Sequence, residues 1–277
     1  MKNAGKVIVI FITLIFLTTV SAWAGSVIDR IAERGELIVG TTGNQPPLNA
    51  KTKEGNIIGL DADLAQFMAH AMEVELRFEV MPFADLLPAL EDGKVDMIIS
   101  GMTITPSRNL KVAFVGPYYI TGKSILTKFE KMASMNDANE LNSSETKLAA
   151  MEGSTGQAFV EEFIPKATLV TTTNYDEAIR MVINDKVDAL IADHPSCAIA
   201  AFRFENEGLF STNMPFTYEP LGIAVPEGDP LFINWVHNVL LTLENSGELR
   251  KIGEKWFKDG SWIEQLPALK ISAVKKE

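Results

Sequence analysis

The chain has 277 residues, 47% of them hydrophobic, and sets 25 basic side chains against 36 acidic ones for a formal charge of −11. So acidic a surface argues against nucleic acid and anionic lipid as partners, although the local field of a pocket decides whether a small anion is accepted. Cys197 is the only cysteine, which excludes an internal disulfide, and His70, His194 and His237 stand too far apart for metal-ligand spacing. No metal and no cofactor is expected, and stability must come from apolar cores.

Residues 1–24 read as a secretory signal. Lys2 and Lys6 form a basic start, residues 7–20 an apolar run, and Ala22-Trp23-Ala24 a small-x-small cleavage site, with cleavage expected after Ala24. The apolar run is shorter than the roughly 20 residues that span a bilayer. No cysteine follows it, so a lipid anchor is not expected. The exported chain of about 250 residues has room for one large domain or two ordinary ones.

A short helix at 28–33 stops at Gly35, and a strand at 36–42 runs into the loop Gly43-Asn44-Gln45-Pro46-Pro47. A helix follows at 60–72, with Asp61 and Asp63 in its first turn, where the dipole favours acids. Residues 74–80 alternate as a strand does, and 83–90 form a helix with Leu86, Leu87 and Leu90 on one face. The apolar strand 95–99 then delivers Ser100-Gly101-Met102-Thr103-Ile104-Thr105-Pro106-Ser107-Arg108. Thr105-Pro106 reads as a helix entry with Thr as N-cap and Arg108 in the first turn. A cation there calls for an anion, and bare N–H groups, hydroxyls and one guanidinium make a carboxylate or phosphate cradle. The same residues would also serve as a plain cap with a surface arginine paired to a local acid. Strand and helix alternate, which argues parallel βαβ units with ligands held beyond the C-terminal strand ends.

Pro117-Tyr118-Tyr119 changes the rhythm and opens a strand at 124–128, and residues 131–141 read as a surface helix and loop. A second series follows: strand 148–151, the turn Gly153-Ser154-Thr155-Gly156, helix 157–163, strand 167–170, helix 175–184, strand 187–192 and helix 194–204. Asp193 or Ser196 is expected to cap the last helix. The series echo each other, since Asp92-Gly93-Lys94-Val95-Asp96 resembles Asn184-Asp185-Lys186-Val187-Asp188. Residues 218–225 form a strand and 229–256 two helices broken near Ser246-Gly247, with Trp256 and Trp262 packing this end. The expectation is an α/β protein of two lobes, each a βα sandwich: residues 25–119 with 222–269, and residues 120–221, followed by a flexible tail, 270–277. Two crossover strands would form a hinge that closes the lobes on a ligand.

The spaced motifs Gly59-Leu60-Asp61-Ala62-Asp63-Leu64, Val95-Asp96 through Arg108, Phe114-Val115-Gly116-Pro117-Tyr118-Tyr119, Gly153-Ser154-Thr155, Asp188 through Asp193 and Glu254-Lys255-Trp256-Phe257 carry a resemblance. The chain resembles the family 3 extracytoplasmic solute-binding proteins of polar amino-acid uptake, over about residues 35–265. The resemblance implies a type II periplasmic binding fold and a monomer that captures a polar or neutral amino acid in the periplasm for an ABC permease. It implies that Arg108 pairs with the ligand α-carboxylate, helped by N–H groups at Gly101, Thr103 and Thr155 in the Ser154-Thr155 turn. It implies that Asp193 takes the α-ammonium with help from Ser100, and that Phe83 walls the site. Relatives carry an aromatic platform where Gln45 stands, and binders of basic side chains an Asp where Thr42 stands, so a Lys or Arg ligand is disfavoured. Met102 and Met151 would adapt to a varied side chain.

Three neighbours have simpler readings. Cys197 is a small core residue, Tyr118 and Tyr119 are hinge packing, and His194 is a surface or capping residue with no nucleophile to serve. The resemblance also leaves a dehydratase of the arogenate or prephenate type and a ligand-presenting sensor. The first needs an acid to protonate a leaving hydroxyl, and no second carboxylate follows Asp193 in sequence.

Overall fold

A computed structural model describes residues 26–135 and 137–270. The expected leader and cleavage site, and the tail beyond Lys270, lie outside them. Helix α1 (Val27–Arg34) opens on a capping box between Ser26 and Asp29 and closes on Gly35 at φ 71°, a conformation glycine adopts without strain. Strand β1 (Glu36–Thr41) leads to a small antiparallel sheet, β2 (Asn44–Gln45), β3 (Asn49–Lys51) and β4 (Ile57–Ile58), where the sequence reads only loop and turn. Then come α2 (Leu60–Ala71), β5 (Glu75–Val80), α3 (Phe83–Glu91) and β6 (Met97–Ile98). The last is two residues long, shorter than the apolar run suggests.

Strand β7 (Ala113–Thr121) enters β8 (Lys123–Thr127) through Gly122 alone. Helix α4 (Glu130–Ala133), β9 (Lys147–Met151), α5 (Thr155–Phe163), β10 (Thr168–Thr172), α6 (Tyr175–Ile183), β11 (Ala189–Asp193), α7 (His194–Arg203) and β12 (Phe210–Ser211) follow. Strand β13 (Glu219–Val225), α8 (Pro230–Asn245), α9 (Glu248–Phe257) and a 3-10 turn at Ser261–Gln265 come next. Among the described residues two five-stranded sheets result, ordered β5-β1-β6-β13-β7 and β10-β9-β11-β8-β12. Each has three parallel strands, and the other two pair antiparallel. The expected βαβ series is therefore the parallel half of each sheet. The nine-residue β7 supplies an antiparallel edge where Gly116-Pro117 hides the strand pattern.

The echo between the two series has a physical cause. Asp96 accepts a hydrogen bond from the Ile38 N–H (2.8 Å), and Asp188 accepts one from the Lys147 N–H (2.7 Å). Each acid thus satisfies an N–H of the neighbouring parallel strand, β1 or β9, and Asp96 also pairs with Arg34.

One core, with Leu37, Met68, Phe232 and Trp256, lies on one side of the first sheet. Another, with Ile125, Leu148, Val160 and Ile191, lies on the second. A third joins Phe83, Leu86 and Met102 from the first sheet's connections to Met151, Tyr175, Ala192 and Cys197 of the second. It seals the two halves together. Trp256 packs on Trp262 with ring centres 5.5 Å apart, and its indole N–H donates to Asp63, tying α9 to α2.

Candidate functional site

The cradle after β6 is built differently from its sequence reading. Arg108 begins a single 3-10 turn, Arg108–Leu110, rather than an α-helix, and its N–H donates to the Thr105 hydroxyl (3.2 Å). The guanidinium donates through Nη1 to the Thr103 carbonyl (2.8 Å) and through Nη2 to the Gly153 carbonyl (2.9 Å). It lies over the Phe83 ring, 5.4 Å from its centre. Arg108 therefore reaches from the first sheet's loop to the turn after β9. Burial pulls its pKa down, and the nearby Glu219 and Asp193 carboxylates push it back up. A second bridge runs beside it, with Thr103 Oγ1 3.3 Å from Thr155 Oγ1.

The Gly101 N–H is directed at the Tyr118 hydroxyl (3.2 Å), which itself donates to Asp61 Oδ1 (2.8 Å). The second Asp61 oxygen accepts from Asn49 Nδ2 (2.8 Å). Thr42 donates to Asn49 Oδ1 (2.9 Å), and the Ser100 hydroxyl accepts from the Thr42 N–H (3.0 Å) and lies 3.4 Å from Gln45 Oε1. Thr42, Gln45, Ser100 and Gly101 thus belong to one buried polar network under the cradle. Asp61, wholly buried at its centre, has its pKa raised by burial to about 6.

Ser154 is the N-cap of α5, its hydroxyl accepting from the Gln157 N–H (3.1 Å). Thr155 follows, and its hydroxyl donates to Glu219 Oε2 (3.0 Å).

Asp193 stands at the N-cap position of α7, but its side chain makes no cap bond, and neither does Ser196. It accepts instead from Lys123 Nζ at 2.7 Å, with both side chains almost wholly buried. Glu219 Oε2 lies 3.8 Å from the same nitrogen. Glu219 is the second carboxylate that the sequence near Asp193 lacks. Tyr175 is also present, buried, and burial beside the Asp193 carboxylate pushes its hydroxyl pKa up. It brings an aromatic ring next to Gln45 from the second half.

His194 sets Nδ1 3.3 Å from the Ser124 hydroxyl, and partial burial lowers its pKa. Burial drives the Cys197 thiol far up, away from any nucleophilic role. Tyr119 stacks on Phe257 with ring centres 4.5 Å apart. Among the described residues no group of three or more His, Cys, Asp and Glu could hold a metal, and no helix is long and apolar enough to cross a membrane.

Of the residues singled out from the sequence, the fold brings Arg108, Asp193, Phe83, Thr103 and Thr155 together. Sequence reasoning missed Lys123, Glu219, Tyr175 and the Asp61 network. The signal for Lys123 and Glu219 was available, because each carries a charge beside a crossover.

Two α/β halves joined by two crossings, with an arginine from one bonded to the turn after β9 of the other, define a two-lobed solute-binding fold. Residues 37–259 match the bacterial extracellular solute-binding proteins, family 3, and the chain belongs to that family. It is 30% identical to the ABC transporter glutamine-binding protein GlnH of Bacillus subtilis (strain 168), over 74% of each chain. It is 27% identical to ABC transporter arginine-binding protein 1 of Escherichia coli (strain K12), over 79% of this chain and 89% of the other. Among solved structures it is similar to the ancestral amino acid-binding protein AncCDT-1, a precursor of cyclohexadienyl dehydratase. There the identity is 36% and the TM-score 0.76, over 84% of this chain and all of that one.

Proposed function

We propose that this protein captures a polar or neutral amino acid between two lobes and delivers it to an ABC permease. In this reading the leader directs export to the periplasm and is removed after Ala24, and the mature protein works as a monomer without catalysing a reaction. Lobe 1 comprises residues 25–119 and 222–269, and lobe 2 residues 120–221. The observation that carries the reading is Arg108. Its guanidinium lies across the seam between the halves, over Phe83 and within reach of the field of Asp193.

Nη1 and Nη2 each make one bond to a carbonyl and each carry a second N–H, a fork suited to a carboxylate. Asp193 supplies the opposite charge from the other lobe, so only a ligand with both an anionic and a cationic end answers both halves. Closure then follows the ligand, because its two charged ends are met by groups from different lobes. Thr103 and Thr155 would join the carboxylate end, since their hydroxyls already meet there.

Isothermal titration against the common amino acids should find a ligand of micromolar or tighter affinity. Arg108→Ala should weaken it by about a hundredfold, the loss expected for a charge-assisted pair, with an unchanged melting temperature. A variant that binds normally would refute the reading. Glu219 beside Asp193 favours one second reading, a dehydratase whose acid is one of these carboxylates. Product formation from arogenate or prephenate would decide for it.

A further inference from the structure

Lys123 is an unusual buried group. Among the described residues it heads the largest side chains that are almost fully shielded from solvent. Its place is fixed by backbone rather than by a flexible loop. It sits directly opposite Asp193 in the antiparallel β8–β11 pairing. Its N–H donates to the Thr217 hydroxyl (2.8 Å), and its carbonyl accepts from the Phe216 N–H (2.7 Å). Nζ is then 2.7 Å from Asp193 and 3.8 Å from Glu219. Burying an ammonium and two carboxylates is costly, and a cross-strand apolar pair would hold this sheet at least as well. A function other than strand pairing accounts better for the charge.

With Arg108, the seam holds two cations and two carboxylates. A zwitterion leaves that balance unchanged. An amino acid with a cationic side chain brings an extra positive charge, and Lys123 already engages the carboxylates that would accept it. We infer that Lys123 is a charge filter: its built-in ammonium takes the place of a ligand cation, so the site selects amino acids with uncharged side chains and rejects cationic ones. This rests on the amino-acid reading of the site and names the residue that sets the ligand's charge class. On this account Asp193 serves two cations, the Lys123 ammonium at Oδ1 and the ligand α-ammonium at its other oxygen.

Arginine and citrulline are close in size and shape and differ in the charge of the terminal group, so they read the filter directly. Titration of the wild-type protein should show citrulline bound at least tenfold tighter than arginine. Lys123→Met should raise arginine affinity at least tenfold and invert the order, because Asp193 and Glu219 are then free for a ligand cation. Lys123→Arg should keep the wild-type order. Should Lys123→Met fail to fold, Lys123→Gln, which can still hydrogen-bond Asp193, is measured in its place.

A purely structural lysine would weaken both ligands alike and leave the ratio where it was, which overturns the inference. Wild-type protein that binds arginine as well as citrulline overturns it too, as does arginine affinity that stays unchanged without the lysine. Wild-type protein that binds no amino acid removes the amino-acid reading and this inference with it. Binding with an unchanged ratio removes only the role of Lys123.

Discussion

Asp61 offers a test of the buried network that needs no ligand. It is wholly shielded from solvent, with one oxygen accepting from Tyr118 and the other from Asn49. Burial raises its pKa from 3.8 to about 6, against the opposing pull of the bonds from Asn49 and Tyr118. In the unfolded chain the carboxyl regains its ordinary value. Between about pH 4 and pH 6 the folded protein therefore holds a proton that the unfolded chain has released. Where the folded state binds more protons, stability falls as pH rises. A shift of about two pH units corresponds to about 3 kcal/mol, present below the window and lost above it. Asp61→Asn removes this dependence and nothing else that titrates. Urea unfolding of both proteins at pH 4 and pH 6.5 should show the wild type losing about 2 kcal/mol more than the variant on going up, since pH 4 already lies inside the window. Any loss of the Asn49 bond in the variant acts at both pH values and cancels from the difference. A wild-type-minus-variant difference equal at the two pH values would refute the burial argument for Asp61.

The paired acids at the head of each sheet should differ in cost. Asp96→Ala strands a buried Ile38 N–H and frees Arg34, for about 2–3 kcal/mol in urea unfolding, whereas Asp188→Ala opens a more accessible site and should cost about 1 kcal/mol. At Gly122 a Cβ would overlap the Thr217 carbonyl oxygen and lie 2.7 Å from Pro215 Cβ, so Gly122→Ala should destabilise by about 4 kcal/mol or more in thermal unfolding. Gly208→Ala, at φ 73° but in open space, should cost about 1 kcal/mol in the same assay.

Elements whose pattern repeats were legible. The helix face at Leu86 and Leu90, the alternation in β5 and the doubled turn-acid-strand unit each place apolar residues at a period that one local structure satisfies. The small sheet of β2, β3 and β4 was not legible, because its strands are two or three residues long and show no period. Strand β7 was lost for another reason. Its Gly116-Pro117 pair looks like a loop, but it lies where β7 pairs with β13 and the register shifts between Leu221 and Ile223. The cap roles of Ser154 and Asp193 divided on tertiary grounds. Both occupy the N-cap position, yet only Ser154 caps, because Asp193 has a cation opposite it in the sheet.

The site residues that escaped share one property: their partners are remote in sequence. Lys123 meets Asp193 seventy residues later, and Tyr175 meets Gln45 across both sheets. No local pattern encodes such pairs. The crossings between the two sheets narrow the search, however. A chain that leaves one sheet at Thr121 and enters another at Lys123 has only Gly122 between, so a side chain there necessarily lies beside the seam. Glu219 pairs with Thr121 in the first sheet and lies beside the same seam. A charge at either crossing therefore faces the seam between the sheets unless it reaches solvent, and Lys123 is shut off from solvent. The crossings thus deliver opposite charges to the place where the two sheets meet.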